Sequence, residues 1–262
     1  MKTILQHIAR EALMLLYPPG CAICDTVLKD RHALVCDECR KNLPWVRQPV
    51  CLSCGRPLEP KMNRHLLILE DTDENRMELC PSCMNRKNYF AKGASTFLYA
   101  GQIRESILRM KFHNRRDHIA FYASAMAHAH AGFLRRYRPD VIVPIPMHKK
   151  KIRKRGFDQC ALLAKRFSDE TGIPVLYDAL VRVRYTKAQK GLGVKQRQEN
   201  LQGAFMAGPS LTSSDGAGCP QRILLLDDIL TTGTTINEAA KVLRKEGAEA
   251  IYFITAAVAP KG

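Results

Sequence analysis

The sequence predicts an α/β protein in two parts, a domain built on a parallel sheet flanked by helices and, before it, a small module held together by metal. Three observations carry that prediction. Eight of the ten cysteines fall in four Cys-x-x-Cys pairs, all at or before Cys83. From Tyr99 onward apolar residues recur at helical spacing, beginning with Ile103, Ile107 and Met110. Between Ile223 and Val258 an apolar strand, a loop rich in Thr, a helix and a second apolar strand follow one another, and a strand-helix-strand unit of that length implies parallel pairing.

The segment up to Cys83 is broken by Pro, Gly, Asn and Asp and cannot build much apolar core, so it needs a staple. Cys21-x-x-Cys24 and Cys36-x-x-Cys39 are eleven residues apart, and Cys51-x-x-Cys54 and Cys80-x-x-Cys83 twenty-five. Each such turn can place two thiolates on a tetrahedral zinc, so eight thiolates make two structural zinc sites. Consecutive pairing, with Cys21, Cys24, Cys36 and Cys39 on one ion and Cys51, Cys54, Cys80 and Cys83 on the other, is favoured; interleaved pairing stays open. Reduced thiols suit a cytoplasmic chain, and Glu11, His7 and Arg10 interrupt the apolar N-terminal stretch, so neither a signal peptide nor membrane insertion is expected. The module, with a short N-terminal helix, is taken as residues 1–92 and the sheet domain as 93–262. The acidic patch Glu70, Asp71, Asp73, Glu74 and Glu78 reads as a solvated insertion, Trp45 is expected between the metal sites, and Cys160 and Cys219 read as ordinary residues.

Further along, Ile119 to Tyr137 keeps a helical composition, and Val141 to Pro146 is a short β-branched strand ended by two prolines. A basic loop follows, then a helix from Gln159 to Glu170 closed by Gly172. Arg182 to Gln202, polar and without sustained period, reads as a long loop or hairpin, and Ala207 to Pro220 as a surface connection. The closing unit is a strand over Ile223 to Leu226, a loop over Asp227 to Thr235, a helix over Ile236 to Glu246 and a strand over Ala250 to Val258.

The loop of that unit carries the chemistry, because ligands of open α/β sheets lie at the carboxyl ends of the strands. Thr231, Thr232, Gly233, Thr234 and Thr235 offer hydroxyls and approachable backbone N–H groups at a helix N-terminus, where a phosphate is favoured. Asp227 and Asp228 can accept hydrogen bonds from vicinal sugar hydroxyls beside a Mg²⁺ held by the sugar and a diphosphate. A phosphate cradle next to two carboxylates describes a ribose 5-phosphate site.

Six cations occupy the seven positions from Lys149 to Arg155. Arg155 beside Gly156, with Lys154, is the preferred diphosphate ligand set, because Arg forks onto two oxygens and Gly admits the backbone. Six cations cannot all reach one diphosphate, and the formal charge of +16 exceeds what a small anion site needs. Lys149, Lys150, Lys151 and Arg153 are therefore candidates for single-stranded DNA, with a solvated basic surface as the bland alternative.

The Asp-Asp-x-x-Thr-x-Gly-Thr-Thr pattern after an apolar strand resembles the motif with which type I phosphoribosyltransferases bind 5-phosphoribosyl-1-diphosphate (PRPP). That resemblance implies their fold, assigns the ribose hydroxyls to Asp227 and Asp228, and assigns the 5-phosphate to Thr231 through Thr235. Purine transferases acting on oxo-purines carry a carboxylate where Thr231 stands; a hydroxyl is a poor general base at neutral pH, which argues against an oxo-purine acceptor. Arg184, Thr186, Gln189, Arg197 and Asn200 look like an active-site loop that closes over PRPP to exclude water. Together with Tyr99-x-Gly101, Lys111-Phe112, the Val141 to Pro146 strand, Arg155-Gly156-Phe157 and Gly203-Ala204-Phe205, these motifs resemble the ComF family, competence-associated bacterial proteins with an N-terminal zinc ribbon and a phosphoribosyltransferase domain. The resemblance covers nearly the whole chain. It implies a part in natural transformation and DNA uptake, with PRPP, single-stranded DNA and competence-machinery proteins as partners. Two readings follow: a phosphoribosyltransferase that releases diphosphate, or a non-catalytic module that senses PRPP or a nucleotide while holding single-stranded DNA or a protein partner.

Overall fold

The computed structural model describes residues 19–58, 79–184, 203–212 and 219–260. Two short helices, α1 (Asp37–Lys41) and α2 (Pro81–Met84), belong to the cysteine segments. Then come β1 (Lys92–Leu98), α3 (Gly101–Phe112), α4 (His118–Ala129), α5 (Ala131–Tyr137), β2 (Val141–Pro144), α6 (Lys149–Arg155) and α7 (Gln159–Thr171). The rest is a two-stranded antiparallel pair, β3 (Leu180–Arg182) and β4 (Phe205–Ala207), followed by α8 (Pro209–Thr212), β5 (Arg222–Leu230), α9 (Thr234–Lys245) and β6 (Ala250–Val258). The main sheet is four-stranded and parallel throughout, in the order β1-β6-β5-β2.

β5 and β6 are apolar on both faces because both faces are covered. Leu224, Leu226 and Ile254 face one core with Phe97, Ile103, Ile107, Tyr122 and Phe167, so α3, α4 and α7 lie there. Ile223, Leu225, Ile251 and Phe253 face the other with Ile236, Ala239, Ala240 and Leu243, whose spacing of three and four is the buried stripe of α9. Each fully buried Leu or Ile contributes about 1.5–3 kcal/mol.

The cysteine segments do not stand off from this sheet. Cys21, Ala22, Ile23 and Cys39 join the first core, and Cys51, Cys54, Cys80 and Cys83 join the second. Between them, residues 44–46 run along the outer edge of β1: Val46 N donates to Thr96 O (2.9 Å) and Leu98 N to Pro44 O (2.8 Å). Trp45 packs on Phe97 of β1 at 4.5 Å between tilted rings, against the core that also holds Cys21 and Cys39, so it joins the sheet edge to the first metal site. This cover removes a free edge that would otherwise offer unpaired backbone groups.

Two elements differ from the sequence expectation in ways that matter for the site. The strand expected to stop at Leu226 continues to Leu230, because β6 stays beside it through Asp227↔Thr255, Ile229↔Ala257 and Leu230↔Val258. On its other side, β2 pairs only as far as Pro144↔Leu226. Asp227 and Asp228 therefore ride on a strand that β6 holds on one side and that β2 no longer pairs on the other. The basic loop expected after Pro146 is the helix α6: Lys and Arg are good helix formers, His148 Nδ1 accepts from Lys150 N (3.1 Å) at its start, and Gly156 at φ +84° ends it.

Candidate functional site

Asp228 is buried and ion-paired with Lys111 Nζ of α3 at 2.8 Å, and Gln159 Nε2 donates to it at 2.9 Å. Burial opposes its ionisation, but Lys111, Gln159 and the nearby Arg155 prevail and hold it below the usual carboxylate range. Asp227 is shifted the other way. Burial, and then the charge of Asp228, push it up to about 7, although it accepts from Asp228 N (2.8 Å) and from the Cys160 thiol (3.4 Å). Near neutral pH one carboxylate is charged and its neighbour is poised to lose a proton. Cys160, raised by burial and by the acids, stays a neutral thiol. Asp158 presents these partners: its Oδ1 caps α7, accepting from Cys160 N (2.9 Å) and Ala161 N (3.1 Å).

Beyond β5 the chain turns through Gly233, at φ +76°, into α9, whose start carries no side-chain cap. Its first amide, Thr234 N, donates only a long hydrogen bond to Thr232 Oγ1 (3.4 Å), which an anion at the helix start can replace. Thr232 and Thr234 hydroxyls lie 2.9 Å apart at its mouth; Thr231 is exposed, Thr234 is buried and Thr235 is half-buried. Arg155 donates to Gln159, which in turn donates to Asp228, so α6 and the acidic pair are one hydrogen-bonded chain. α6 presents two faces. Lys149, Lys150, Arg153 and Lys154 are exposed, while Lys151 and Arg155, one turn apart, are half-buried. Lys151 is pulled below the usual lysine range by burial and by Arg182, Arg155 and Lys111. Gly156 and Phe157 follow, Phe157 under the guanidinium of Arg116 at 4.6 Å. Arg182, at the end of β3, packs over Phe205 at 5.3 Å and feels the charge of Asp227. β3 and β4 pair through Leu180↔Ala207 and Arg182↔Phe205, which makes the basic excursion a hairpin at its base. Arg184 is exposed there; Thr186, Gln189, Arg197 and Asn200 lie outside the described residues, as do the acidic residues from Glu70 to Glu78 and the expected N-terminal helix.

The cysteines gather consecutively. The Sγ atoms of Cys21, Cys24, Cys36 and Cys39 lie within 4.8 Å of one another, as do those of Cys51, Cys54, Cys80 and Cys83. Backbone amides point at the sulfurs, as thiolates require: Cys36 N to Cys21 Sγ at 3.3 Å and Cys80 N to Cys51 Sγ at 3.2 Å. In the second group the three surrounding thiols pull Cys51 far below the usual thiol value and push Cys54 far above it. Four thiols at this spacing ionise together only around a cation, and buried sulfur donors in fours suit zinc.

Comparison with known proteins agrees with this division. A model of the double zinc ribbon domain matches residues 12–84, and one of the phosphoribosyl transferase domain matches residues 123–262. The chain is 30% identical to Competence protein F of Haemophilus influenzae over 82% of its own length and 93% of that protein. The chain belongs to the ComF family. Competence protein ComFC of Bacillus subtilis is 29% identical, over 81% of this chain and 79% of its own. DNA utilization protein YhgH of Escherichia coli is 26% identical, over 91% and 96%. This ComF-family chain thus carries two four-cysteine zinc ribbon sites and a phosphoribosyltransferase-type fold.

Sequence reading of this ComF-family chain found the acidic pair and the threonine loop but not their supports. Lys111 stood out only as part of a motif, Gln159 only as the first residue of a helix, and Arg56 and Arg86 not at all, while Cys160, expected to be an ordinary residue, donates its thiol to Asp227. The Asp158 cap was the one local signal that the start of α7 had a fixed orientation.

Proposed function

We propose that this protein binds Mg²⁺·PRPP at the carboxyl end of β5 and transfers its phosphoribosyl group with release of diphosphate. One observation carries the reading: Asp227 and Asp228 stand on the strand that leads into the glycine-started helix α9, with Lys111 ion-paired to Asp228, Arg155 linked to it through Gln159, and Lys151 and Arg182 near enough to feel the charge of the pair. The 5-phosphate takes the amides and hydroxyls of Thr231 to Thr235, and the ribose hydroxyls donate to Asp227 and Asp228. Lys151 and Arg155 supply counter-charge as the C1–O bond breaks and its electron pair leaves with diphosphate, and a Mg²⁺ brought in with the diphosphate would neutralise the rest. The negative acidic pair favours the positive charge that develops on the ribose. An acceptor nucleophile then bonds to C1 with its lone pair and gives up its proton to solvent. The supports assigned here replace the exposed Lys154 by Lys151 in the diphosphate set, with Arg155 and Gly156 retained. The domain division at residue 92, a cytoplasmic location and a role in competence or DNA utilization, suggested by the names of the relatives, belong to the same proposal. Calorimetric titration with PRPP, with and without Mg²⁺, is the direct test: no Mg²⁺-dependent heat from a folded, zinc-loaded chain sinks the reading.

A second reading is favoured by α6 itself. Lys149, Lys150, Arg153 and Lys154 form the exposed face of this helix, on a chain of charge +16. Single-stranded DNA binding through that face releases counterions and weakens steeply with salt. The double substitution Lys149→Ala with Lys150→Ala is expected to flatten the logarithmic salt slope by about one unit per lost phosphate contact while PRPP affinity holds. Lys151→Ala is expected to do the reverse. Equal slopes in wild type and double variant would remove DNA from this face.

A further inference from the structure

Two arginines tie the second cysteine centre to the threonine loop. Each follows one of its metal-binding turns, in Cys51-x-x-Cys54-Gly55-Arg56 and in Cys80-x-x-Cys83-x-x-Arg86. Arg56 is 7% exposed; its Nη1 donates to Ala259 O after β6, its Nη2 donates to Thr231 O, and its Nε has no partner among the described residues. Arg86 Nη1 donates to Thr232 O at 2.7 Å, and its Nε donates to Asn88 Oδ1 at 2.8 Å. Asn88 is held by the other turn, donating from Nδ2 to Ser53 Oγ at 3.1 Å. Arg86 Nη2 lies so close to Gly233 that a Cβ there would sit 2.6 Å from it. The first turn of α9 is fastened as well: Asn237 accepts from Tyr89 N (2.8 Å) and donates to Lys87 O (3.1 Å).

A trans peptide points its C=O and the following N–H in opposite directions. Fixing the carbonyls of Thr231 and Thr232 on the arginines therefore fixes the amides of Thr232 and Gly233 on the other side. We propose that the second four-cysteine centre controls the ribose-phosphate loop: Arg56 and Arg86 are positioning residues that hold the loop amides in their anion-binding direction. Anion affinity then depends on the zinc site of Cys51, Cys54, Cys80 and Cys83 and not on that of Cys21, Cys24, Cys36 and Cys39. The first centre instead docks through Asp25 onto Arg109 (2.8 Å) and Arg115, on the opposite face of the sheet. The proposal rests on the PRPP reading for its ligand but not for its loop geometry.

The test uses the full chain with two readouts, hydrogen exchange of the amides of residues 232–236 and calorimetric affinity for Mg²⁺·PRPP. Arg86→Ala is expected to speed exchange in that window about tenfold or more, leave the middle of β6 unchanged, and weaken PRPP by about tenfold to a hundredfold, with Arg86→Lys recovering part of both. Cys83→Ser is expected to reproduce the loop effect, and Cys24→Ser to leave it at the wild-type level. Wild-type exchange and affinity in a folded Arg86→Ala overturn the coupling. If Cys83→Ser does not fold, the arginine variants, which keep both centres, decide. If the wild-type chain itself ignores PRPP, the ligand reading fails, and loop exchange in Arg86→Ala alone decides the coupling.

Discussion

Stripping both zinc ions from this protein is expected to unfold far more than the cysteine turns. Elemental analysis of the purified chain is expected to give about two zinc ions, because eight thiols form two tetrahedral sets. Structural zinc in small modules binds with about 10–16 kcal/mol, which matches or exceeds the about 5–15 kcal/mol that holds a typical domain together. Here that energy is not confined to a detached appendage. Ala22 and Ile23 are buried against α3 and α4, and Leu58 and Phe90 against the core under α9. Losing the metal uncovers both faces of the sheet, frees Trp45 and residues 44–46 from the edge of β1, and releases Arg56 from the loop. A chelator strong enough to remove both ions should lower the thermal midpoint by about 10 °C or more, with loss of helical circular dichroism from the whole chain. One zinc, iron in place of zinc, or an unchanged midpoint in the stripped chain would defeat the two-site account.

What the sequence disclosed and what it withheld divide along the range of the interactions. Cys-x-x-Cys turns are local, so the four pairs needed only spacing, whereas which two pairs share a site stayed open until the structure brought the sulfurs together. β6 is a continuous apolar run buried on both faces, and its limits at Ala250 and Val258 were visible directly. The end of β5 was not, because Asp227 and Asp228 look like a loop; the strand persists only through its pairing with β6, more than twenty residues away. α6 was misread as a loop because seven consecutive residues with one apolar side chain show no hydrophobic period, and a solvated helix needs none. The acid pair was visible as a motif, but its chemistry is set by Lys111, Gln159 and Cys160, which reach it from two other helices. The arginines at 56 and 86 left one trace that went unused, namely that each stands shortly after a metal-binding turn.

The acidic pair yields the other large expected effect, and its two members should behave differently. Asp227→Asn with Asp228→Asn is expected to weaken Mg²⁺-dependent PRPP binding by more than about a hundredfold, since each carboxylate accepts from a ribose hydroxyl and charged acceptors are worth about 1.5–3 kcal/mol each. Asp228→Asn alone leaves Lys111, only 15% exposed, without its partner at 2.8 Å, and breaking a buried pair from one side costs about 3–5 kcal/mol. Asp227→Asn does the opposite. Asp227 has a folded value of about 7, raised by burial and Asp228 above its ordinary 3.8, so its contribution to stability is complete below the ordinary value and is lost as pH rises through about 7. At pH 8.5 the wild type therefore carries a strained charge that Asn does not, up to about 4 kcal/mol, whereas at low pH the two should be nearly equal. Binding runs the other way: ribose hydroxyls need the ionised carboxylate, so wild-type PRPP affinity should climb between about pH 6 and 8 with release of a proton, and that portion of the climb should vanish in Asp227→Asn. Denaturant unfolding and calorimetry at pH 5.5 and 8.5, in buffers of different ionisation enthalpy, measure both. A wild type and an Asp227→Asn variant whose stabilities differ by the same amount at the two pH values would show that Asp227 does not titrate there, and unchanged PRPP affinity in the folded double variant would remove the acidic pair from the ribose site.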